Sequence, residues 1–225
     1  MYTPQNSVPT DTSAFDYSAM YQSLPYTPST YIVRNPQIRP SFSQTFMDTC
    51  KLWSKRSTCQ RMQTAAILVK NNNIVSIGYN GVPSKTRHCT EFWVDFYKCA
   101  KQINVIKPDD ELVTFYQSAT EDLQYSNDML ANISTFDEFV DSDTFGVLHH
   151  YWSDKNELHA ELNAILQAEC SLKDTTLYSL YSPCRQCAKS IISAKISRVV
   201  YHEEYSRDMQ GVALLKKCGI EVEQL

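Results

Sequence analysis

The apolar positions in the C-terminal half of the chain alternate between a helical and an extended spacing. Apolar residues recur at intervals of three and four between positions 158 and 166, which predicts a helix from His159 to about Cys170. The later predicted elements are a strand at Thr176–Tyr181, a helix from Pro183, a strand at Ser197–His202, a helix at Asp208–Cys218 and a strand at Ile220–Gln224. Strands that alternate with helices in this way run parallel, with the helices covering the sheet.

The N-terminal half adds a helix and a hairpin. Apolar residues from Phe46 to Trp53 fit one face of an amphipathic helix over positions 43 to about 56. Two short runs, Ala65–Val69 and Ile74–Ile77, then flank a turn of three asparagines, which predicts an antiparallel pair. The whole pattern predicts an α/β fold, a three-layer α/β/α sandwich with a mixed sheet of about five strands.

Composition divides the chain into two segments. Residues 1–41 hold six of the nine prolines among Ser, Thr, Gln and Tyr, which predicts a disordered or draped N-terminal arm. Residues 42–225 are expected to form one domain, because that length suffices for one well-filled core. The acidic and irregular stretch at about 90–148 is interpreted as an insertion that contains helices.

Charge and cysteine content narrow the functional class. The net charge is -4 and the isoelectric point is near 5.7, so no overall basic field exists to attract a polynucleotide, and a small substrate is favoured. No run of eighteen apolar residues and no signal-peptide pattern occurs, which predicts a protein without membrane association, located in the cytoplasm, or in the host cytoplasm for a virus. Four of the eight cysteines fall at candidate metal-ligand positions, which favours a reducing compartment over disulfides.

One histidine and two cysteines are candidates for a metal site. His159 opens a predicted helix, and Cys184 and Cys187 follow Pro183 after one strand. A twelve-residue helix is about 18 Å long and a six-residue strand returns about 20 Å, so the chain comes back to its start. Three protein ligands leave a tetrahedral zinc ion one position open for water, as in catalytic sites. Glu161 lies beside that position and can move protons.

Each of these residues also has an ordinary structural interpretation. A C-x-x-C pair alone serves as a redox dithiol or as half of a structural zinc site. His159 alone is typical of a hydrogen-bonded core histidine, and Glu161 alone suits the first turn of a helix. Their order on a helix, strand and helix frame favours catalytic zinc, because H-x-E followed by P-C-x-x-C is the pattern of zinc-dependent nucleobase deaminases.

Longer runs of the sequence resemble the deoxycytidylate (dCMP) deaminase family, specifically its phage and bacterial branch. The similar runs are Lys55–Cys59, Gly78–Pro83, Lys155–Ile165, Leu180–Lys189 and Arg198–Tyr201. The resemblance extends from about Ser43 to Leu225 without the insertion, and the HAELNAI and SPCxxCAK runs are specific to the superfamily. It implies a zinc-dependent hydrolysis of dCMP to dUMP and ammonia, which supplies dUMP for thymidylate synthesis.

The resemblance also assigns metal ligands. It places the catalytic zinc on His159, Cys184 and Cys187, and the proton shuttle on Glu161. The phage branch has a second, structural zinc, whose ligands fall on Cys59, Cys89, His149 and Glu157. His150 is the rival of His149, and a free cysteine pair with a surface histidine is the ordinary alternative.

Candidate substrate and effector contacts follow from the same resemblance and from side-chain chemistry. Asn80 is implied at the deoxyribose and Tyr205 at the base, sugar or phosphate. Arg56 and Ser57 are candidate phosphate contacts, because guanidinium and hydroxyl groups donate to phosphate oxygens. The remaining candidates are Ala160 and Ser182 for the substrate and Gly81 for an effector.

The resemblance further implies a homohexamer that dCTP with Mg²⁺ activates and dTTP inhibits. Two other interpretations stay open. One is a deaminase of dCTP, cytidine, guanine or adenosine in tRNA, and the acidic charge disfavours the tRNA substrate. The other is a non-catalytic, zinc-stabilised nucleotide-binding module, which Glu161 disfavours because a structural zinc site needs no carboxylate beside an open position.

Overall fold

The computed structural model describes residues 39–103 and 107–225. The N-terminal arm expected at residues 1–41 therefore lies outside the described residues, apart from its last three positions. The first described helix, α1, begins at Phe42, where the Ser41 hydroxyl oxygen accepts a hydrogen bond from the backbone N–H of Gln44 at 3.1 Å. That side chain satisfies one of the free donors of the first turn, so the helix starts at this residue.

A five-stranded mixed sheet forms the centre of the described fold. Its strands are β1 (Ala65–Lys70), β2 (Asn73–Tyr79), β3 (Thr176–Tyr181), β4 (Arg198–Glu203) and β5 (Glu221–Gln224), in the spatial order β2-β1-β3-β4-β5. β1 pairs antiparallel with β2 and with β3, whereas β3, β4 and β5 run parallel. The expected mixed sheet with an antiparallel opening hairpin is confirmed.

Eight α-helices surround and extend this sheet among the described residues. They are α1 (Phe42–Ser54), α2 (Cys89–Ala100), α3 (Asp110–Leu123), α4 (Phe136–Val140), α5 (Asp143–Asn156), α6 (Ala160–Leu166), α7 (Arg185–Ser193) and α8 (Gln210–Lys217), with a 3₁₀ turn at Asn127–Leu130. None of the helices in the described ranges has the length and hydropathy that a membrane span requires.

Each face of the sheet buries its own apolar cluster. On one face, Phe46 and Met47 of α1 pack on Ile67 and Val200. On the other face, alanines and aliphatic residues of α6, α7 and α8 pack on Leu68, Leu177 and Val199. Alternate side chains of a strand point to opposite faces, so the sheet separates two helical layers, and the expected three-layer α/β/α architecture is confirmed.

The predicted insertion is helical and has a core of its own. Helices α2 to α5 bury aromatic side chains against one another, with Trp93 in contact with Phe92, Phe115, Phe145 and Trp152 at centroid distances of 5.1 to 6.0 Å. Edge-to-face contacts predominate around Trp93, as the quadrupoles of aromatic rings favour. Cys59 and Cys89 belong to the same buried cluster, so these helices pack against the loop before β1.

One helix is shorter than the apolar spacing predicts. The helix expected from His159 to about Cys170 is α6, which ends at Leu166. Leu166 is 65% exposed. The spacing of apolar residues from which the helix was predicted therefore included a residue that faces solvent. Because α6 has only seven residues, an irregular connection over residues 167–175, and not the helix alone, returns the chain to β3.

Candidate active site

Three potential metal ligands meet at the ends of two helices. His159 is the N-cap residue of α6, Cys184 is the N-cap residue of α7, and Cys187 lies in the first turn of α7. The His159 Nδ1 atom lies 3.5 Å from the Cys184 Sγ atom and 3.4 Å from the Cys187 Sγ atom. The two thiols are buried, whereas the imidazole is exposed, so the group has one open side.

Close backbone contacts place these helices. A Cβ atom on Gly78 of β2 would overlap the Ala164 nitrogen and the Ala160 carbonyl oxygen, so the backbone of α6 lies directly on β2. A Cβ atom on Gly211 would likewise overlap the Pro183 carbonyl oxygen, which brings α8 against the turn before Cys184. Both approaches require a residue without a side chain.

The group has the donor set and the spacing that zinc requires. Zinc bonds of 2.0 to 2.3 Å in a tetrahedral arrangement hold ligand atoms about 3.5 Å apart. The observed separations of 3.4 and 3.5 Å match that value. One imidazole and two thiolates are typical of catalytic zinc with one open position. The residues present therefore fit a zinc ion.

The electrostatics also favour a deprotonated ligand. The Cys187 thiol and the His159 ring hydrogen-bond to Cys184 and lower its pKa to about 4. The same thiolate is the main cause that raises the pKa of His159 to about 9. A thiolate is the form of cysteine that binds metal, so the site holds ligand charge at neutral pH.

Glu161 is the buried acid of this site. Its side chain is 6% exposed, and it lines the same cavity as His159 and Cys184. Burial raises the pKa of Glu161, while the nearby His159 acts in the opposite direction. A carboxyl group whose proton affinity is increased in this way is suited to accept and return a proton.

A second group of potential ligands lies next to the first. The His149 Nε2 atom is 3.3 Å from the Cys59 Sγ atom and 3.4 Å from the Cys89 Sγ atom, and Glu157 completes the group. Glu157 Oε1 is buried and has no hydrogen-bond partner in the described part of the chain. Burial raises the pKa of Glu157 to about 8. An orphaned carboxylate oxygen beside two thiols fits a metal ligand, whereas the rival His150 is exposed and stands outside this group.

A cavity of about 880 Å³ connects the two groups of ligands. Three of the predicted substrate contacts line it, namely Asn80, Ser182 and Tyr205. The Ser182 hydroxyl oxygen accepts a hydrogen bond from the Tyr205 backbone N–H at 2.7 Å and so holds the Tyr205 loop over the cavity. Burial raises the pKa of the Tyr205 phenol.

Asn80 has a structural task as well as a place in the cavity wall. Its amide oxygen accepts from the Thr64 backbone N–H at 2.9 Å, and its amide nitrogen donates to the Met62 carbonyl oxygen at 2.8 Å. These two bonds fix the loop that precedes β1. The amide keeps one N–H and one lone pair for a ligand.

The other predicted contacts lie away from the cavity lining. Arg56 is exposed just beyond the end of α1, and Ser57 is buried, where its hydroxyl accepts from the Cys59 backbone N–H at 3.2 Å. Ala160 is fully buried in α6. Gly81 forms a two-bond bridge with Leu158, at N···O distances of 3.1 and 2.8 Å, and so ties the Gly81 loop to the residue before His159.

Sequence reasoning missed several residues that the structure brings into the cavity wall. They include the polar residues Arg61, Thr64, Ser153, Asp154, Arg207 and Asp208. Arg61 stands two residues after Cys59, and Arg207 two after Tyr205. Their closeness in sequence to Cys59 and Tyr205 was the one indication that they belong to the site. Only the tertiary fold shows that both loops line the same cavity.

Comparison with known proteins agrees with this geometry. Residues 40–203 match the model of the family described as "Cytidine and deoxycytidylate deaminase zinc-binding region". The deoxycytidylate deaminase of Enterobacteria phage T2 is 33% identical over 184 residues, which cover 80% of this chain and 90% of the phage protein. The ComE operon protein 2 of Bacillus subtilis is 27% identical over 195 residues, which cover 83% of this chain and 72% of that protein.

A solved structure shares the fold. The dCMP deaminase of cyanophage S-TIM5 in complex with dCMP and dUMP is 25% identical, with a TM-score of 0.52. The similarity covers 84% of this chain and 99% of the cyanophage chain. The shared region includes nearly the whole of that protein, so the likeness extends beyond the short metal-ligand motifs.

Proposed function

Because the chain belongs to the family of cytidine and deoxycytidylate deaminases with a zinc-binding region, we propose that it hydrolyses dCMP to dUMP and ammonia. The observation that carries the proposal is the buried Glu161 beside a His–Cys–Cys group at a large cavity. The phage T2 relative is a deoxycytidylate deaminase, and the cyanophage enzyme binds dCMP and dUMP. These likenesses support the substrate.

His159, Cys184 and Cys187 would hold the catalytic zinc ion. When bound there, the ion supplies Lewis acidity that brings the pKa of water close to neutral. In the overall reaction the oxygen of water forms a bond to C4 of cytosine, and the bond from C4 to the amino nitrogen breaks as ammonia leaves. The protein's own task is to place the base and to carry the protons.

Glu161 would carry those protons. Its carboxylate would carry the first proton of the attacking water to N3 of the base, and then the second proton, from the hydroxyl group formed at C4, to the departing amine. Its position in the first turn of α6, two residues after His159, keeps it beside the zinc ligands. Asn80 and Tyr205 would contact the sugar and the base from the cavity wall.

Replacing Glu161 tests this mechanism. We expect Glu161→Gln to lower the rate of ammonia release from dCMP at least about 100-fold, because general acid and base catalysis contributes about that much or more. Zinc per chain, measured by atomic absorption, should stay at the wild-type value. Glu169→Gln, which changes an exposed glutamate beyond the end of α6, is the matched control. Near wild-type turnover in the Glu161 variant would contradict the proton-carrier role.

We also propose that Cys59, Cys89, His149 and Glu157 hold a second, structural zinc ion. The orphaned Glu157 oxygen and the two short contacts of His149 support it. Cys89 begins α2 and His149 lies in α5, so these ligands join the insertion to the segment that leads into His159.

Regulation by nucleotides is proposed from the resemblance. In that proposal the enzyme is a homohexamer, dCTP with Mg²⁺ activates it and dTTP inhibits it at the loop that contains Gly81. The bridge between Gly81 and Leu158 supports a route to the site, because a shift of the loop would move the residue before His159. Turnover of dCMP that is insensitive to both triphosphates would contradict this proposal.

A further inference from the structure

One carboxylate, that of Asp208, joins the start of α7 to the start of α8. Its Oδ2 atom accepts a hydrogen bond from the backbone N–H of Arg185 at 2.6 Å, and its Oδ1 atom accepts one from the backbone N–H of Gln210 at 3.0 Å. Arg185 and Gln210 are the first residues of the two helices, so their N–H groups have no partner within their own helix. A charged acceptor forms strong hydrogen bonds there, and negative charge is favourable at a helix start.

The helix start that Asp208 binds carries two of the candidate zinc ligands. Cys184 is the N-cap residue of α7, and its Sγ atom accepts a hydrogen bond from the Cys187 backbone N–H at 3.4 Å. The Arg185 N–H belongs to the peptide group that directly follows Cys184. A contact that fixes this peptide group therefore fixes the first turn of α7 and the direction of the Cys184 side chain.

The loop that supplies Asp208 is held to the same turn at its other end. The Ser182 backbone N–H donates to the Glu203 carbonyl oxygen at 2.8 Å, and the Ser182 hydroxyl oxygen accepts from the Tyr205 N–H at 2.7 Å. Within the loop, the Asp208 N–H donates to the Tyr205 carbonyl oxygen at 3.2 Å. Ser182 and Asp208 thus connect both ends of the loop between β4 and α8 to the turn that carries Cys184.

An ordinary interpretation of the Asp208 carboxylate is that it caps α8 alone. The shorter of its two hydrogen bonds, however, goes to α7 and joins residues that are 23 positions apart in the chain. Asp208 forms no salt bridge with any residue that the structure describes. Its hydrogen bonds therefore act on the position of two backbone segments, and one of these segments carries the candidate metal site.

We infer that Asp208 is a positioning residue, which holds the Cys184 turn and the Tyr205 loop in one fixed arrangement. The inference rests on the proposed function, since it concerns how a zinc ligand and a substrate contact of that function are placed. Asp208 does not bind the metal ion itself and acts through the Arg185 N–H. Removal of a group that orients a metal ligand lowers metal affinity by about 10- to 100-fold.

Chemical labelling of single cysteines tests the inference without requiring turnover. The zinc-loaded protein would be treated with EDTA and iodoacetamide, and mass spectrometry would follow the labelling of Cys184 and of Cys59. We expect Asp208→Ala to speed the labelling of Cys184 about 10- to 100-fold, because a weaker zinc site exposes its thiolate more often. Labelling of Cys59, in the second ligand group, should keep the wild-type rate. Glu204→Ala, which removes an exposed carboxylate from the same loop, is the matched control.

Two substitutions of Arg185 isolate the backbone hydrogen bond. Arg185→Pro removes the N–H, and proline suits the first position of a helix when it follows an extended residue such as Cys184. Arg185→Ala keeps the N–H and removes only the guanidinium, which donates to Gln210 Oε1 at 2.7 Å. We expect the proline variant to speed Cys184 labelling as Asp208→Ala does, and the alanine variant to speed it less than about 3-fold. In an Asp208→Ala background, the proline change should add little.

A conservative variant and hydrogen exchange separate positioning from folding. Asp208→Asn keeps one acceptor oxygen, so its Cys184 labelling rate should lie between those of the wild type and Asp208→Ala. In Asp208→Ala, amide exchange should become faster in peptides over residues 182–187 and 204–210 and stay at the wild-type rate in β4.

Unchanged Cys184 labelling in both Asp208→Ala and Arg185→Pro would overturn the inference. Equal acceleration at Cys184 and Cys59 would overturn it as well, because that result indicates a general loss of structure. Failure of the proposed function is a different result, namely a wild-type protein that retains zinc but releases no ammonia from dCMP.

Discussion

At the scale of single residues, the cysteines of the chain differ in their environment. Some environments stabilise the charged thiolate, and others bury the cysteine as a small apolar side chain. Cys184 is held as a thiolate by its neighbours, with a pKa lowered to about 4. Cys50 is fully buried under the sheet, donates to the Tyr178 carbonyl oxygen at 3.5 Å, and has a pKa raised to about 12 by burial. The same type of residue is thus a candidate metal ligand in one place and a small apolar side chain in another.

This difference predicts a pattern of chemical labelling. Iodoacetamide reacts with thiolates, so in the zinc-loaded protein at pH 8 the exposed Cys170 and Cys218 should be modified first, and Cys50 at least about 100-fold more slowly. Mass spectrometry of peptides over time measures the three rates. In denaturant Cys50 should react like the others. Rapid labelling of Cys50 in the native protein would show that the space under α1 is open.

The candidate metal ligands and Glu161 could be selected from the sequence because their chemistry is encoded in short, fixed spacings. The structure brings His159, Cys184 and Cys187 together as that spacing suggests. The two arginines of the cavity wall, Arg61 and Arg207, could not be predicted in the same way. Arg61 is placed by Gly146 on α5 and by Asn80 after β2, and no local pattern links those positions.

At the scale of elements, the spacing of apolar residues correctly predicted the order of helices and strands, but it did not predict the length of every helix. The parallel strands β3, β4 and β5 alternate with helices as expected. The end of α6 was missed because Leu166 is apolar but exposed. Close contacts between elements could not be predicted from periodicity either. A glycine in the sequence does not show that another backbone packs against it until the neighbouring element is known.

Gly211 gives a test of one such approach. Gly211→Ala should favour α8 by about 1 kcal/mol in helix propensity, yet the new methyl group would push against the Pro183 and Cys184 backbone. We therefore expect less than one catalytic zinc per chain and a fall in dCMP turnover on the order of 100-fold, as small displacements of reacting groups produce. Zinc analysis and ammonia release measure both.

The control for this change lies on the same helix. Ala213 is exposed, so Ala213→Gly should cost about 1 kcal/mol of stability while leaving zinc content and turnover near wild type. If the Gly211 variant kept the wild-type zinc content and the wild-type rate of dCMP turnover, the contact between α8 and the turn before Cys184 would not be needed to position Cys184.

At the scale of the whole molecule, the second group of candidate ligands joins helices α2 to α5 to the segment that begins at His159. Cys59 precedes β1, Cys89 begins α2, and Glu157 follows α5 two residues before His159. A metal ion bound by residues from these distant elements would stabilise the fold by its binding free energy. The insertion would then depend on this ion as well as on its aromatic core.

The two adjacent histidines give a matched pair for that claim. His149→Ala should reduce zinc from two ions to one per chain and lower the unfolding free energy by more than about 2 kcal/mol, equivalent to a Tm loss of about 4 to 8 °C. His150→Ala, which changes an exposed neighbour, should leave both quantities unchanged. Equal zinc content in the two variants would argue against the second metal site.

The central claim is the deamination of dCMP, and the release of ammonia by the purified, zinc-loaded protein tests it most directly. The substrates to compare are dCMP, dCTP, deoxycytidine, CMP and a tRNA. We predict that dCMP is turned over with the highest kcat/KM, because the chain belongs to the family of cytidine and deoxycytidylate deaminases and its relative from phage T2 is a deoxycytidylate deaminase. The claim would be contradicted if the zinc-loaded protein released no ammonia from dCMP, or if it preferred the tRNA.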